Sequence, residues 1–208
     1  MLRIIALLQT DISEEVGFIS GDRCWLIKPE QIIEDEYKCT VINLFGGPGA
    51  GKSTTASLVF GNLKQAGVNC ELVQEYAKDK VWEESYKTLE NQLYVLGKQS
   101  HRQFRCKDKV DVIITDAPLL LSLHYGQNLS DEFKDVVRQT FDSYNNVNYL
   151  VERGDFDYNP AGRTQTEDEA TEVHKSIRGM LNCETHYKII PRGELGVKTI
   201  LDEIRPTL

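Results

Sequence analysis

From Cys39 onward, short apolar runs alternate with longer stretches in which apolar residues recur at three- and four-residue spacing. Cys39–Phe45 (CTVINLF) reads as a buried strand, and Ser53–Gly67 (STTASLVFGNLKQAG) as the helix after it. Asn69–Gln74 (NCELVQ) gives a second strand, followed by a polar helical region over residues 76–107. Val110–Thr115 gives a third strand, Asp131–Tyr144 a helix and Val147–Arg153 (VNYLVER) a fourth strand. In the helix over Thr166–Leu181, Thr166 and Glu169 form a capping box, and Ala170, Val173, Ile177 and Leu181 share one apolar face. His186–Ile190 and the helix Gly193–Ile204 close the chain. This alternation, with wholly apolar strands, predicts an α/β three-layer sandwich whose parallel central sheet is covered by helices on both faces.

The first 38 residues have a different pattern. Arg3–Gln9, Glu15–Ser20 and Arg23–Ile27 are β-prone runs separated by the turn-like TDISE and SGDR. They predict a small β-rich extension over residues 1–38, an edge extension or packing arm with no chemistry of its own. The acidic IIEDEYK joins it to a domain over residues 39–208.

In parallel sheets, ligands gather beyond the carboxyl ends of the strands, so the residues just after each strand carry the functional information. After the first strand, Gly46, Gly47, Pro48, Gly49, Ala50, Gly51, Lys52 and Ser53 fill the pattern G-x-x-x-x-G-K-[ST], and Thr54 follows. Between a strand and a helix this is a phosphate cradle. Glycines let backbone N–H groups turn inward, the helix N-terminus adds positive potential, Lys52 reaches the outer phosphates, and Ser53 can ligate Mg²⁺.

The second strand ends in Gln74, Glu75 and Tyr76, the third in Asp116, Ala117 and Pro118, and the fourth in Glu152 and Arg153. Asp116 closes an apolar run where a carboxylate can hold Mg²⁺; the other reading is an aspartate that starts a turn before proline. Glu75 is a candidate base for an acceptor hydroxyl, or a salt-bridged surface residue, and Asp116 also stands as a candidate base. Arg153 and Arg163 flank a polar loop containing Asp155, Asp157, Asn159, Pro160 and Gly162, a composition suited to a lid over residues 153–166. Guanidinium groups on a closing loop supply positive charge to a transferring phosphoryl group and exclude water. Gln92, Gln99, Arg102 and Arg105 form either an acceptor-binding wall or a solvated helix face. His101, His124, His174 and His186 have no spacing that suggests catalysis.

Two absences sharpen the reading. ATP-hydrolysing motors usually place a glutamate beside the aspartate that closes this strand, and here the neighbour is Ala117; the guanine-reading N-K-x-D pattern is missing too. Both favour transfer to a bound acceptor over hydrolysis or switching.

Composition limits the partners. A net charge of −8 disfavours a broad nucleic-acid-coating surface, while leaving room for a local basic channel. The five cysteines are scattered without metal-ligand spacing and read as thiols of a reducing, cytoplasmic compartment. No apolar run approaches membrane-spanning length. Nothing in the pattern bears on oligomeric state.

The motifs GGPGAGKST, EYA (Glu75–Ala77), the strand-terminal TDAP and the lid pattern Y-N-P-x-G-R-x-Q together resemble the phage-encoded P-loop kinases grouped with the nicotinamide riboside kinase domain of bacterial NAD regulators. The resemblance covers Cys39–Leu208. It implies ATP and Mg²⁺ as cofactors, Glu75 near the acceptor hydroxyl, and Arg153 and Arg163 on the transferring phosphoryl group. The Asp/Glu-Arg-Ser signature of deoxynucleoside kinases is replaced by Asp116-Ala117-Pro118, which leaves the acceptor open. The expectation is an ATP-dependent kinase acting on a hydroxyl of a nucleoside-like or nucleotide-like acceptor. A kinase acting on hydroxymethyl-pyrimidines within DNA, as some phage relatives are thought to be, and an ATP-hydrolysing or ATP-binding module are the alternatives.

Overall fold

In a computed structural model the chain divides into two compact units, Met1–Glu36 and Tyr37–Leu208. The residues described are 3–4, 16–20, 23–27, 39–126, 128–154 and 166–204. In the first unit, β1 (Arg3–Ile4), β2 (Val16–Ser20) and β3 (Arg23–Ile27) form an antiparallel sheet in that order, with Val16 opposite Ile27 and Ser20 opposite Arg23. The β extension expected from the sequence is present.

The second unit begins with β4 (Thr40–Phe45), α1 (Lys52–Gln65) and β5 (Cys70–Val73), and continues through α2 (Tyr76–Trp82), α3 (Tyr86–Glu90) and α4 (Gln92–Phe104). After β6 (Val112–Thr115) come α5 (Leu121–Tyr125), α6 (Asp131–Asp142), β7 (Asn145–Glu152), α7 (Glu167–Glu184), β8 (Lys188–Pro191) and α8 (Glu194–Ile204). The five strands form one parallel sheet in the order β5-β6-β4-β7-β8. This is the three-layer α/β sandwich the alternation predicts.

Successive residues of β4 face opposite layers, as strand geometry requires. Val41 and Phe45 join Leu96, Val137, Phe141, Ile177 and Leu181 in one core, while Ile42 and Leu44 join Val59, Leu63, Val197 and Ile200 in the other. The central strand is therefore apolar on both faces.

Three details depart from the sequence reading. The strands are not wholly apolar: Asn43, 1% exposed, donates from Nδ2 to Asn146 Oδ1 (2.8 Å) and Asn148 Oδ1 (3.0 Å). Asn148 Nδ2 in turn donates to Thr185 Oγ1 and the carbonyl of His186, both at 3.1 Å, so this amide ladder is satisfied inside the core. The polar stretch over 76–107 is three helices rather than one region. Glu84 adopts φ 54°, which ends helical geometry after α2, and the Asn91 side chain accepts from the Tyr94 N–H (3.1 Å) to start α4. Finally, α5 forms where the sequence reading placed no element, with Leu121, Ser122 and Leu123 buried and Tyr125 exposed.

The order β5-β6-β4-β7-β8 sets the site. After β4 the chain crosses to β5, two places to one side, whereas after β6 it crosses to β7 on the other side of β4, so the carboxyl end of β4 is a topological switch point, the place where ligands bind in open parallel sheets.

Candidate functional site

The loop after β4 enters α1 through Gly51, whose φ of 93° is left-handed and suits only a residue without Cβ. The first intrahelical bond is Thr55 N–H to the Gly51 carbonyl (2.9 Å). The amides of Lys52, Ser53 and Thr54 therefore belong to the first helical turn, which has no acceptors within the helix. Ser53 and Thr54 are exposed there. Lys52 folds back over the loop, donating from Nζ to the carbonyls of Gly46 (2.7 Å) and Gly47 (3.1 Å). Residues 46–54 thus set the first turn of α1 and the Lys52 ammonium around one loop, an arrangement able to receive an anion.

The neighbouring strand ends meet this cradle. Thr115 Oγ1 donates to the Val73 carbonyl (2.9 Å) and accepts from Ala117 N–H (3.1 Å), locking the turn after β6 against the end of β5. Asp116, 4% exposed, lies within that turn, and its Oδ1 accepts from the Glu75 N–H (3.1 Å). Glu75 is the residue before α2, and Gln99 Oε1 accepts from the next amide, Tyr76 N–H (2.9 Å). Burial raises the Glu75 carboxyl pKa above its ordinary value; the Lys52 ammonium opposes that shift and the Asp116 carboxylate adds to it. Lys52, Glu75 and Asp116 are within electrostatic reach of one another. Tyr125, on α5, is 46% exposed as a whole residue, and desolvation local to its hydroxyl, with the Glu75 charge contributing, raises that group above its ordinary range.

The donor set around the loop suits one kind of metal. Among the described residues no group of three or more His, Cys, Asp or Glu forms a cage. The exposed hydroxyl of Ser53 and the buried carboxylate of Asp116 are hard oxygen donors, which fit Mg²⁺ completing its shell with water and phosphate oxygens.

Arg153 follows β7 and turns onto the start of α7. Its guanidinium donates to Thr171 Oγ1 (3.0 Å) and the Glu167 carbonyl (3.3 Å), and pairs with Glu167 Oε1 (2.7 Å). It thereby joins the two chain segments that border residues 155–165. Arg163 and the lid residues Asp155, Asp157, Asn159, Pro160 and Gly162 lie outside the described residues. The Thr166–Glu169 capping box at the far border forms as expected, with Thr166 N–H donating to Glu169 Oε2 (2.7 Å) and Glu169 N–H to Thr166 Oγ1 (3.3 Å).

The candidates Gln92, Gln99 and Arg102 of α4, and Arg105 just after it, all have partners within the fold. Gln99 is buried, holding the Tyr76 amide and donating to the Gln74 carbonyl (3.3 Å). Arg102 pairs with Asp79 and also reaches the Gln74 carbonyl (3.3 Å). Gln92 donates to the Leu89 carbonyl (2.6 Å) and Arg105 to the Arg102 carbonyl (3.3 Å). Gln99 and Arg102 support the strand end that carries Glu75, and neither an acceptor wall nor a merely solvated face describes them.

Two residues at the site carry no signal in the sequence. The first is His174 of α7, whose Nδ1 accepts from the Gly47 N–H (3.1 Å). The second is Arg192, just past β8, whose side chain comes within 3.4–3.5 Å of where a Cβ on Gly51 would stand. Each reaches the loop from more than 100 residues away in sequence, and only the sheet order brings them there.

The described cysteines Cys39, Cys70, Cys106 and Cys183 are free thiols. Among the described residues, no helix is long and apolar enough to cross a membrane. A family model described as an AAA domain matches residues 41–196. No curated protein matches the chain.

Proposed function

The chain belongs to the AAA-domain family of P-loop nucleotide-binding proteins, and from that premise we propose that it is an ATP-dependent kinase, moving the γ-phosphoryl group to a hydroxyl of a nucleoside-like or nucleotide-like acceptor. One observation carries this reading. The carboxyl held beside Lys52 and Asp116 belongs to Glu75 on the far strand end, while the position next to Asp116, where water activation would be expected, is Ala117. Glu75 follows β5, two strands from β4 in the sheet, so its carboxyl comes to Lys52 from a different strand end than the loop does, the side from which we infer an acceptor would approach. A carboxyl with a raised pKa is also better matched to taking a hydroxyl proton near neutral pH than an ordinary one.

In this reading residues 39–208 are the kinase domain, 153–166 its lid, and 1–38 an extension. Backbone amides of the loop and of the first turn of α1 bind the nucleotide phosphates, apart from those of Gly47 and Ala50, which are engaged within the fold, and Pro48, which has none; Lys52 neutralises the outer phosphates. Ser53 and Asp116 would hold Mg²⁺, which when bound offsets phosphate charge. Glu75 orients the acceptor hydroxyl and takes its proton. Arg153 serves the phosphoryl group by exchanging Glu167 for phosphate, and Arg163 joins it from the lid. The free thiols suit a reducing cytoplasm.

The deciding experiment is an acceptor screen with γ-labelled ATP over nucleosides, nucleotides, nicotinamide riboside and hydroxymethylated DNA, with Lys52→Ala as the blank. Label on a small hydroxylated acceptor supports the proposal. Label only on the polymer transfers the assignment to a DNA kinase, and acceptor-independent phosphate release identifies an ATPase.

A further inference from the structure

His174 sits where the phosphate loop, the end of β7 and helix α7 meet. Its Nδ1 accepts the Gly47 N–H at 3.1 Å, so Nδ1 carries no proton and the ring's hydrogen is on Nε2. Nε2 is buried without a hydrogen-bond partner and faces Glu152 Oε2 at 3.6 Å. Glu152 Oε1 lies 3.7 Å from Arg178 Nη1, one turn further along α7. Gly47 is also pressed against α7 sterically: a Cβ there would lie 2.6 Å from the Ala170 carbonyl oxygen and 2.8 Å from His174 Cβ. The loop is thus fastened to the first half of α7, and the same part of α7 is gripped by Arg153 through Glu167 and Thr171.

We propose that His174, as a neutral imidazole, is a positioning residue that tethers the phosphate loop to α7, and that protonating it releases the tether and weakens nucleotide binding. A proton on Nδ1 would face the Gly47 N–H donor to donor, so the bond cannot survive protonation. The charged groups around the ring are Glu152 at the end of β7, Arg153 beyond it, Lys52 on α1 and Arg178 on α7. Burial lowers the imidazole pKa below its ordinary value, Glu152 opposes that, and the three cations add to it. The neutral form therefore prevails at neutral pH, and the tether is lost as pH falls through the lowered value. The inference rests on the nucleotide-binding reading of the loop and does not require that the phosphoryl group be transferred.

The test compares the wild type with His174→Ala and His174→Asn. Asparagine places an acceptor, Oδ1, at the same distance along the side chain as Nδ1, and that acceptor does not titrate. Hydrogen exchange of the unliganded loop segment 46–53, corrected for intrinsic rate, is read at about pH 7.5 and at an acidic pH where the imidazole's own NMR signal shows it protonated, below the ordinary imidazole range. MgATP affinity is measured at both. The expected wild-type result is protection that drops on acidification. His174→Asn should be protected at both pH values and His174→Ala at neither. Loss of one buried hydrogen bond should weaken MgATP binding in His174→Ala by about 5- to 10-fold at neutral pH. The wild type should lose a similar factor relative to His174→Asn at acidic pH, a ratio that cancels protonation of ATP itself. Wild-type protection in His174→Ala, a wild-type pH profile in His174→Asn, or loop exchange that changes without any change in MgATP affinity each overturns the proposal. MgATP binding without transfer to any acceptor sinks the kinase assignment and leaves this inference standing.

Discussion

Replacing Gly47 by alanine tests whether the phosphate loop is held by helix α7. A Cβ at this position falls 2.6 Å from the Ala170 carbonyl oxygen and 3.0 Å from the His174 backbone nitrogen. Ordinary contact begins near 3.4 Å, so about 0.8 Å must be found along the tightest approach. Neither atom can rotate aside, because both are main-chain atoms inside α7. The loop cannot yield freely either, since Lys52 Nζ binds the carbonyls of Gly46 and Gly47. Forced overpacking of this kind costs about 1–3 kcal/mol, and in a chain of this size that lowers the melting midpoint by roughly 3–10 °C. A displacement approaching 1 Å at a phosphate cradle also costs about 10²-fold in rate. Thermal unfolding reads the first effect, turnover the second, and MgATP binding shows whether the cradle still holds nucleotide. Gly61→Ala is the control: Gly61 lies in α1 with nothing within 4 Å of the place a methyl group would take, and alanine there should stabilise by up to about 1 kcal/mol through helix propensity. If Gly47→Ala matches the wild type in both stability and affinity, the loop is not packed on α7 and the tether argument fails with it.

Three further outcomes follow from the site. Glu75→Gln should lower kcat by about 10²-fold or more and remove an acidic limb that, because burial raises this carboxyl, lies above the ordinary carboxylate range. The same raised pKa means the folded chain binds more protons than the unfolded one between the ordinary and the raised value. Stability from this group therefore falls as pH rises through that window, and Glu75→Gln should melt higher than the wild type at neutral pH. Lower stability together with a normal rate would make Glu75 a structural residue. Asp116→Asn should weaken Mg²⁺-dependent turnover more than nucleotide binding in metal-free buffer, since the cradle amides are untouched; equal losses in the two assays would mark a structural aspartate. Arg153→Ala should cut kcat by about 10²-fold, worth on the order of 3 kcal/mol in a water-poor site, with little change in ATP affinity. Loss of affinity in proportion to rate would make it a nucleotide clamp.

The sequence determined a good deal about this protein because much of its information is local. A strand, the loop GGPGAGKST and a helix are contiguous, and each glycine, the lysine and the serine act within a few residues of one another. The capping box at Thr166 is likewise a three-residue relation, and it appears as read. Alternating apolar strands and amphipathic helices fixed the layers, since a strand apolar on both faces must be covered twice. Strand ends could be named as candidates because parallel strands deliver their carboxyl ends to one edge.

What stayed hidden was non-local. Nothing in the chain announces the order β5-β6-β4-β7-β8, and that order alone sets Asp116 beside the loop strand and lets its carboxylate take the Glu75 amide. Gln99 and Arg102 could be read either as an acceptor wall or as a solvated face because polarity on a helix does not say which neighbour satisfies it; packing sets them against the backbone at residues 74 and 76. Asn43 went unremarked within an apolar run, and its amide partners Asn146 and Asn148 lie more than 100 positions away on the adjacent strand. His174, 127 positions from Gly47, was one of four unremarkable histidines. Its place against the loop arises because Gly47 has no side chain to keep α7 away, and a close approach between two backbones is a property of the folded surface that no spacing along the chain can encode.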